Sequence, residues 1–219
     1  MPESPFDQQR YQVRHDWGVD GLRRLAPADV VVVVDVLRYS TTVTDAVARG
    51  VHPALDAAAH AVSLNGAAVA AAAAASGATV LLGCLRNARA VAGAVLDLQH
   101  RRAQRTSIAV IAAGELAARQ PGAPLRFAVE DQLGAGAVID ALGGLGADHT
   151  SPEAAAACEA FRGLRHALRH LLTASASGQE LLQRPDHDEA ASRDEVLTAA
   201  AVDAASVVPV LREGRFVAY

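Results

Sequence analysis

Five consecutive valines, Val30 to Val34, constrain this chain more than any other stretch. β-Branched side chains lose rotamer freedom in a helix and pack well on a pleated surface, so the run reads as a strand. It does not alternate apolar with polar residues, which predicts burial on both faces, as in a parallel sheet covered by helices. The run ends in Asp35-Val-Leu-Arg38-Tyr-Ser40-Thr41-Thr42, and a helix is predicted from about Thr42 to Arg49, with Gly50 as its stop. A buried strand that delivers a carboxylate, an arginine and three hydroxyls just before a helix has the geometry of a ligand site in an open α/β sheet. Asp35 is therefore the first candidate residue.

The same pattern recurs downstream. Thr79 to Leu82 reads as a strand, Gly83-Cys-Leu-Arg-Asn87 as a loop and Ala88 to His100 as a helix. Ser107 to Ala112 gives a further strand, followed by Ala113-Gly114-Glu115, where another carboxylate stands just past a strand end. Such units need crossover connections, so the fold class is α/β, a mainly parallel sheet with flanking helices. Shorter strands are expected at Tyr11 to Asp16 and at Val51 to Asp56, with a helical turn at Gly21 to Leu25. Asn65-Gly66 opens an alanine-rich helix, Ala67 to Ser76. Its free N–H groups could face an anion, although spacing alone favours a plain turn and a capped helix.

Phe127 to Leu142 is predicted helical, with Glu130 and Asp131 early enough to complement its dipole. Ser151-Pro152 is a cap and first-turn signal for a helix reaching about Leu172. Within it, His166 and His170 are four apart, but Ala167 stands where a zinc-protease helix carries glutamate, so a solvated face is expected. Ser175 or Ser177 caps a further helix, the Asp186/His187/Asp188 trio reads as an exposed loop, and Arg193 to Ala204 reads as the last helix. Val207 to Val210 and Arg215 to Ala218 form a hairpin.

With 219 residues and no linker, a single domain over 1–219 is expected, with 1–10 flexible. A net charge of −4 and a pI near 6.0 argue against a nucleic-acid partner. Cys84 and Cys158 lie too far apart for a zinc or redox motif and fit a reducing, cytoplasmic setting. No stretch offers the roughly 20 apolar residues of a membrane span. The light, alanine-rich core leaves room for a homo-oligomer.

The groups gathered at the predicted sheet end are Asp35, Arg38, Ser40, Thr41, Thr42, Asn65-Gly66, Arg86, Asn87 and Glu115, with Glu130 and Asp131 nearby. Carboxylates without histidine or thiolate suit a hard cation such as Mg2+. Arginine, hydroxyls and helix N–H groups suit a phosphate or sulfonate. Metal-assisted attack on a phosphate ester would use both sets. A haloacid-dehalogenase mechanism is excluded because Val36-Leu37 follows Asp35 where a second aspartate is needed, and no P-loop occurs.

Asp35-Val-Leu-Arg38-x-Ser40-Thr-Thr42 resembles the signature of the 2-phosphosulfolactate phosphatase family. The resemblance continues in order through Trp17-Gly18, Ser63-Leu-Asn65-Gly66, Gly83-Cys-Leu-Arg-Asn87, Ala112-Ala-Gly114-Glu115, Val129-Glu130-Asp131-x-Leu-Gly-Ala-Gly136, Ser177-Gly178 and Val208-Pro209-Val210. It implies Mg2+-dependent hydrolysis of a phosphomonoester of a small hydroxy acid. Position by position, Asp35, Glu115 and Asp131 become catalytic candidates, and Asp35, Glu115 and Glu130 become metal ligands. Arg38, Ser40, Thr41, Asn65, Gly66 and Asn87 become substrate-binding candidates. One departure stands out: only a dozen residues separate Gly50 from Ser63, where the family carries a longer segment. A catalytically weak homologue that binds a small anion is the alternative this allows.

Overall fold

The structure, a computed structural model, describes residues 4–118, 120, 123–183 and 188–219. In chain order its elements begin with β1 (Val13–Trp17), α1 (Gly18–Arg24), β2 (Val30–Val34), α2 (Tyr39–Ala48), α3 (Ala57–Val62) and α4 (Gly66–Ala75). There follow β3 (Thr79–Gly83), α5 (Ala88–Arg102), β4 (Ile108–Ala112), the short pair β5 (Glu115–Leu116) and β6 (Leu125–Arg126), and α6 (Val129–Gly144). The remainder comprises α7 (Pro152–Leu164), α8 (Leu168–Ala174), α9 (Ala176–Leu182), α10 (Glu189–Ala199), β7 (Pro209–Arg212) and β8 (Arg215–Ala218).

Six strands form one sheet in the order β1-β4-β2-β3-β7-β8. The first four are parallel and the terminal hairpin β7–β8 joins β3 antiparallel. The valine run divides its side chains as the strand period requires. Val30, Val32 and Val34 enter the core shared with α5, α6 and α7, whereas Val31 and Val33 enter the one beneath α2 and α4. All five are buried, which is why the run shows no alternation.

Register places the functional edge. Val34 pairs with Gly83 on one side and Ala112 on the other, and Ala112 pairs with Trp17, so four parallel strands stop at one level. The residues that follow, Gly18, Asp35, Cys84 and Ala113, therefore leave the sheet along a single line.

Several boundaries differ from the sequence reading for physical reasons. Val51 to Asp56 forms no strand; only Ala54 makes a bridge, to Arg215. The helix expected to run to Leu172 breaks after Leu164 into a 3-10 turn, Arg165–Ala167, before α8. Gly163 weakens that point, since glycine costs about 1 kcal/mol in a helix interior, and the break turns Leu168 and Leu172 into the core. The last helix starts at Glu189, earlier than expected, because the Asp188 side chain accepts the Ala190 N–H. The segment 1–10 is pinned where it is described: Gln8 exchanges two hydrogen bonds with His15, and Ala26 N–H donates to the Asp7 carbonyl. His166 and His170 are exposed. Asp186 and His187 lie outside the described residues.

Helix α6 packs on α7 so closely that a Cβ on Gly136 would stand 2.1 Å from the Ala157 carbonyl oxygen, whereas one on Gly143 would meet nothing within 4 Å. Alanine gains up to about 1 kcal/mol over glycine in a helix, and overpacking costs about 1–3 kcal/mol or more. Gly136→Ala should therefore lower stability in urea unfolding and Gly143→Ala should raise it slightly. Equal effects would contradict the packing described.

Candidate active site

A cavity of about 520 Å3 opens at the carboxyl edge of the sheet. Asp35, Arg38, Tyr39 and Thr42 reach it from the β2–α2 corner, Ser63 and Asn65 from the start of α4, Glu115 from beyond β4, and Ser177 and Glu180 from α9. The pairs that tie these stretches together are short. Ser63 Oγ donates to Asp35 Oδ2 at 3.2 Å, Asn65 Nδ2 donates to Glu115 Oε1 at 3.2 Å, and Ser177 Oγ donates to Glu115 Oε2 at 3.4 Å.

Asp35 is held by its local backbone. Its Oδ1 accepts the Tyr39 N–H at 3.1 Å, one of the first N–H groups of α2 that lack helical partners, so the helix starts three residues earlier than expected. Ser40 Oγ accepts the Asp35 N–H and donates to the Val33 carbonyl, fixing the corner from behind. Burial, first, and the nearby charges of Glu115 and Glu130 raise the Asp35 carboxyl from 3.8 to about 6, against the hydrogen bonds from Tyr39 and Ser63. Gly66 is required beside it: a Cβ there would lie 2.5 Å from Asp35 Oδ2.

Asp131 has a different part. Its two oxygens accept the N–H groups of Val36 (2.7 Å) and Gly114 (2.9 Å), the chain just past β2 and β4. Burial, then the charges of Asp35 and Glu130, push its carboxyl well above the ordinary range. Asp131 and Glu130 are buried behind the cavity and do not line it. Ser40, Thr41 and Asn87 likewise stand away from it, against the substrate-binding role expected of them. Thr41 Oγ1 donates to the Val36 carbonyl, and the Asn87 amide joins Cys84, Leu82 and Val207. The Gly66 N–H is taken by Ser63 Oγ at 3.0 Å, so the capped turn prevails over an open anion nest. Of the residues expected to act directly, Asp35, Arg38, Asn65 and Glu115 meet at the cavity.

The sequence reading gave Ser177 only a capping role, which Ser175 takes, and gave no role to Ser63, Tyr39 or Glu180. Ser63 had a signal, since a serine three residues before a helix's first glycine is a capping pattern. Arg38 donates to Glu195 Oε1 at 2.8 Å, joining the corner to α10 across the chain, a link that spacing does not show.

Among the described residues, no group of three His, Cys, Asp or Glu side chains is arranged for a metal ion, so the expected set of Asp35, Glu115 and Glu130 does not assemble. Asp35, Asn65 and Glu115 do line one cavity. The Asn65 Oδ1 atom is buried and has no partner, next to the Glu115 carboxylate that its own Nδ2 contacts. Hard oxygen donors of this kind, with one or two carboxylates, fit a cation that keeps waters and shares a substrate phosphate.

The family model described as 2-phosphosulpholactate phosphatase matches residues 55–214. The match contains Asn65, Glu115, Glu130 and Asp131 and begins after the Asp35–Thr42 corner. No curated protein matches the chain.

The raised Asp35 carboxyl makes a stability prediction for the metal-free protein. Its folded pKa of about 6 lies above the ordinary 3.8, so the folded state binds the proton more tightly and stability falls as pH rises between the two values. Asp35→Asn removes that loss. It should be more stable than wild type by up to about 3 kcal/mol at pH 8, with the gap closing below about pH 4. Urea unfolding at the two pH values in EDTA tests this; a variant less stable at pH 8 would contradict it.

Proposed function

The chain belongs to the 2-phosphosulfolactate phosphatase family, and from that footing we propose that it removes phosphate from a phosphomonoester at this cavity, with Mg2+ as the cation. The observation that carries the reading is convergence. Asp35 and Arg38, which precede the family match, meet Asn65, Glu115 and Ser177, which lie inside it, around one cavity. A small hydroxy acid such as 2-phosphosulfolactate is the substrate that membership suggests first.

Charge explains why a cation belongs here. Three carboxylates, Asp35, Asp56 and Glu115, line the cavity, while the guanidinium of Arg38 there is bonded to Glu195. A bare phosphate dianion would be repelled. Asp35 and Glu115 are the residues that would hold the cation, with Asn65 Oδ1 as a neutral donor. When bound, it screens charge on the phosphoryl oxygens and lowers the pKa of the attacking water.

The protein's own groups supply the rest. Arg38 offers a planar pair of N–H donors that matches two phosphate oxygens, and its Nη1 donates to Glu195 Oε1 in the absence of phosphate. Ser63 and Ser177 hold the two carboxylates in place by donating to them. Asp131 fixes the backbone from which Asp35 and Glu115 project.

With Mg2+, phosphate release is expected from 2-phosphosulfolactate or 4-nitrophenyl phosphate, lost in EDTA and restored by excess Mg2+. Asp35→Asn should lower kcat by about a hundredfold to a thousandfold, the usual scale for removing a charge-stabilising group. Arg38→Lys should chiefly raise KM. Turnover unaffected by both EDTA and Asp35→Asn would overturn the proposal, and calorimetric binding of the phospho acid without turnover would leave an anion-binding member of the family.

A further inference from the structure

We infer that Tyr39 is a specificity-determining residue, whose hydroxyl donates a hydrogen bond to an oxygen of the acid group that the substrate carries beside its phosphate. This rests on the phosphatase reading and specifies how the second part of the substrate is held. The first ground is an unmade bond. Among the described residues, three buried side-chain atoms lack a hydrogen-bond partner, Tyr39 Oη, Asn65 Oδ1 and Arg86 Nε. The first two belong to side chains that line the cavity. Such atoms are rare in folded proteins and cost stability unless a ligand or water completes them.

The second ground is placement. Tyr39 opens α2, and its N–H is bonded to Asp35 Oδ1, so the side chain starts at the corner that carries the site. A Cβ on Gly66 would lie 2.8 Å from Tyr39 Cδ1, and the Phe216 ring stands edge-on to the tyrosine with centroids 6.2 Å apart. The ring is thus held between the start of α4 and β8. Phe216 N–H donates to the Pro53 carbonyl, which brings the wall from Pro53 to Ala59 alongside. Pro53, Ala54, Ala58 and Ala59 line the cavity there, and their side chains offer no acceptor. Asp56 Oδ1 accepts the Ala58 and Ala59 N–H groups as the cap of α3.

The third ground is chemistry. Burial, first, and then the charges of Asp35 and Asp56 push the Tyr39 phenol above its ordinary range, so it stays protonated and remains a donor. Arg38 and a cation held by Asp35 and Glu115 would serve the phosphate, and the phenol supplies a neutral donor for a sulfonate or carboxylate oxygen. The hydroxyl is enclosed, so contact with a substrate requires the ring or the alanine wall beside it to shift.

Tyr39→Phe keeps the ring and removes only the hydroxyl. Without substrate, its urea midpoint should equal or exceed that of the wild type, because no bond within the protein is lost; a lower midpoint would overturn the inference by showing that the hydroxyl is bonded already. In Mg2+, its kcat/KM for 2-phosphosulfolactate should fall about tenfold to a hundredfold, the scale of a hydrogen bond to a charged group. That loss should exceed the loss on methyl phosphate, which has no second acid group, by at least tenfold. Equal losses on the two esters, or none, would overturn the inference and leave the phosphatase reading intact. If the wild type hydrolyses neither ester, the phosphatase reading fails and calorimetric titration with 2-phosphosulfolactate decides this one: binding at least tenfold weaker to Tyr39→Phe supports it, and equal or absent binding overturns it.

Discussion

One buried carboxylate holds the site's two halves in register. Asp131 projects from α6 and accepts an N–H from the chain beyond each of two neighbouring strands, β2 and β4. Those groups have left the sheet ladder and would otherwise be buried without partners, at a cost of about 1–3 kcal/mol each. The same contact seats α6 against the sheet, where a Cβ on Gly134 would strike Val34 and Val36. The directions of Asp35 and Glu115 follow from this clamp.

Hydroxyls and amides at the sheet edge therefore fall into two sets. Ser40, Thr41 and Asn87 face inward and are spent on backbone groups, whereas Ser63, Asn65 and Ser177 face the cavity and donate to the carboxylates there. The inner set makes the outer one affordable. Burial, with the nearby charges of Glu115 and Glu130, raises the Asp35 carboxyl to about 6, and only a rigid corner keeps such a group from swinging into water. Instability concentrated at a functional carboxylate is common where the missing counter-charge arrives with a ligand.

The central architecture was legible in the sequence because its strands are short, buried and rich in β-branched residues. Val30 to Val34 matches β2 end to end, and Ser151-Pro152 marks the start of α7. Asp35, Arg38 and Glu115 were legible because they lie just past strand ends, and Asn65 because it stands at a helix start. What spacing could not show was which way each side chain turns. Ser40 and Thr42 stand two apart at one helix start, yet one is buried and the other lines the cavity. Asp131 was placed among the direct participants for the same reason, whereas it lies behind the cavity on Val36 and Gly114, partners distant in sequence. Val51 to Asp56 was read as a strand and is not one, because its conformation is set by the hairpin against which it lies.

That hairpin has a consequence for how the molecule assembles. Leu55 N–H donates to the Gly214 carbonyl and Phe216 N–H to the Pro53 carbonyl, both at 2.8 Å, so the cavity wall is fastened by residues far along the chain. Contacts of such long sequence separation demand the greatest loss of chain entropy before they form. The strand ends and their carboxylates can be in place while the enclosure around them is still open. Loosening of the terminal hairpin would thus open the chamber's wall while the strand ends keep their charges in place.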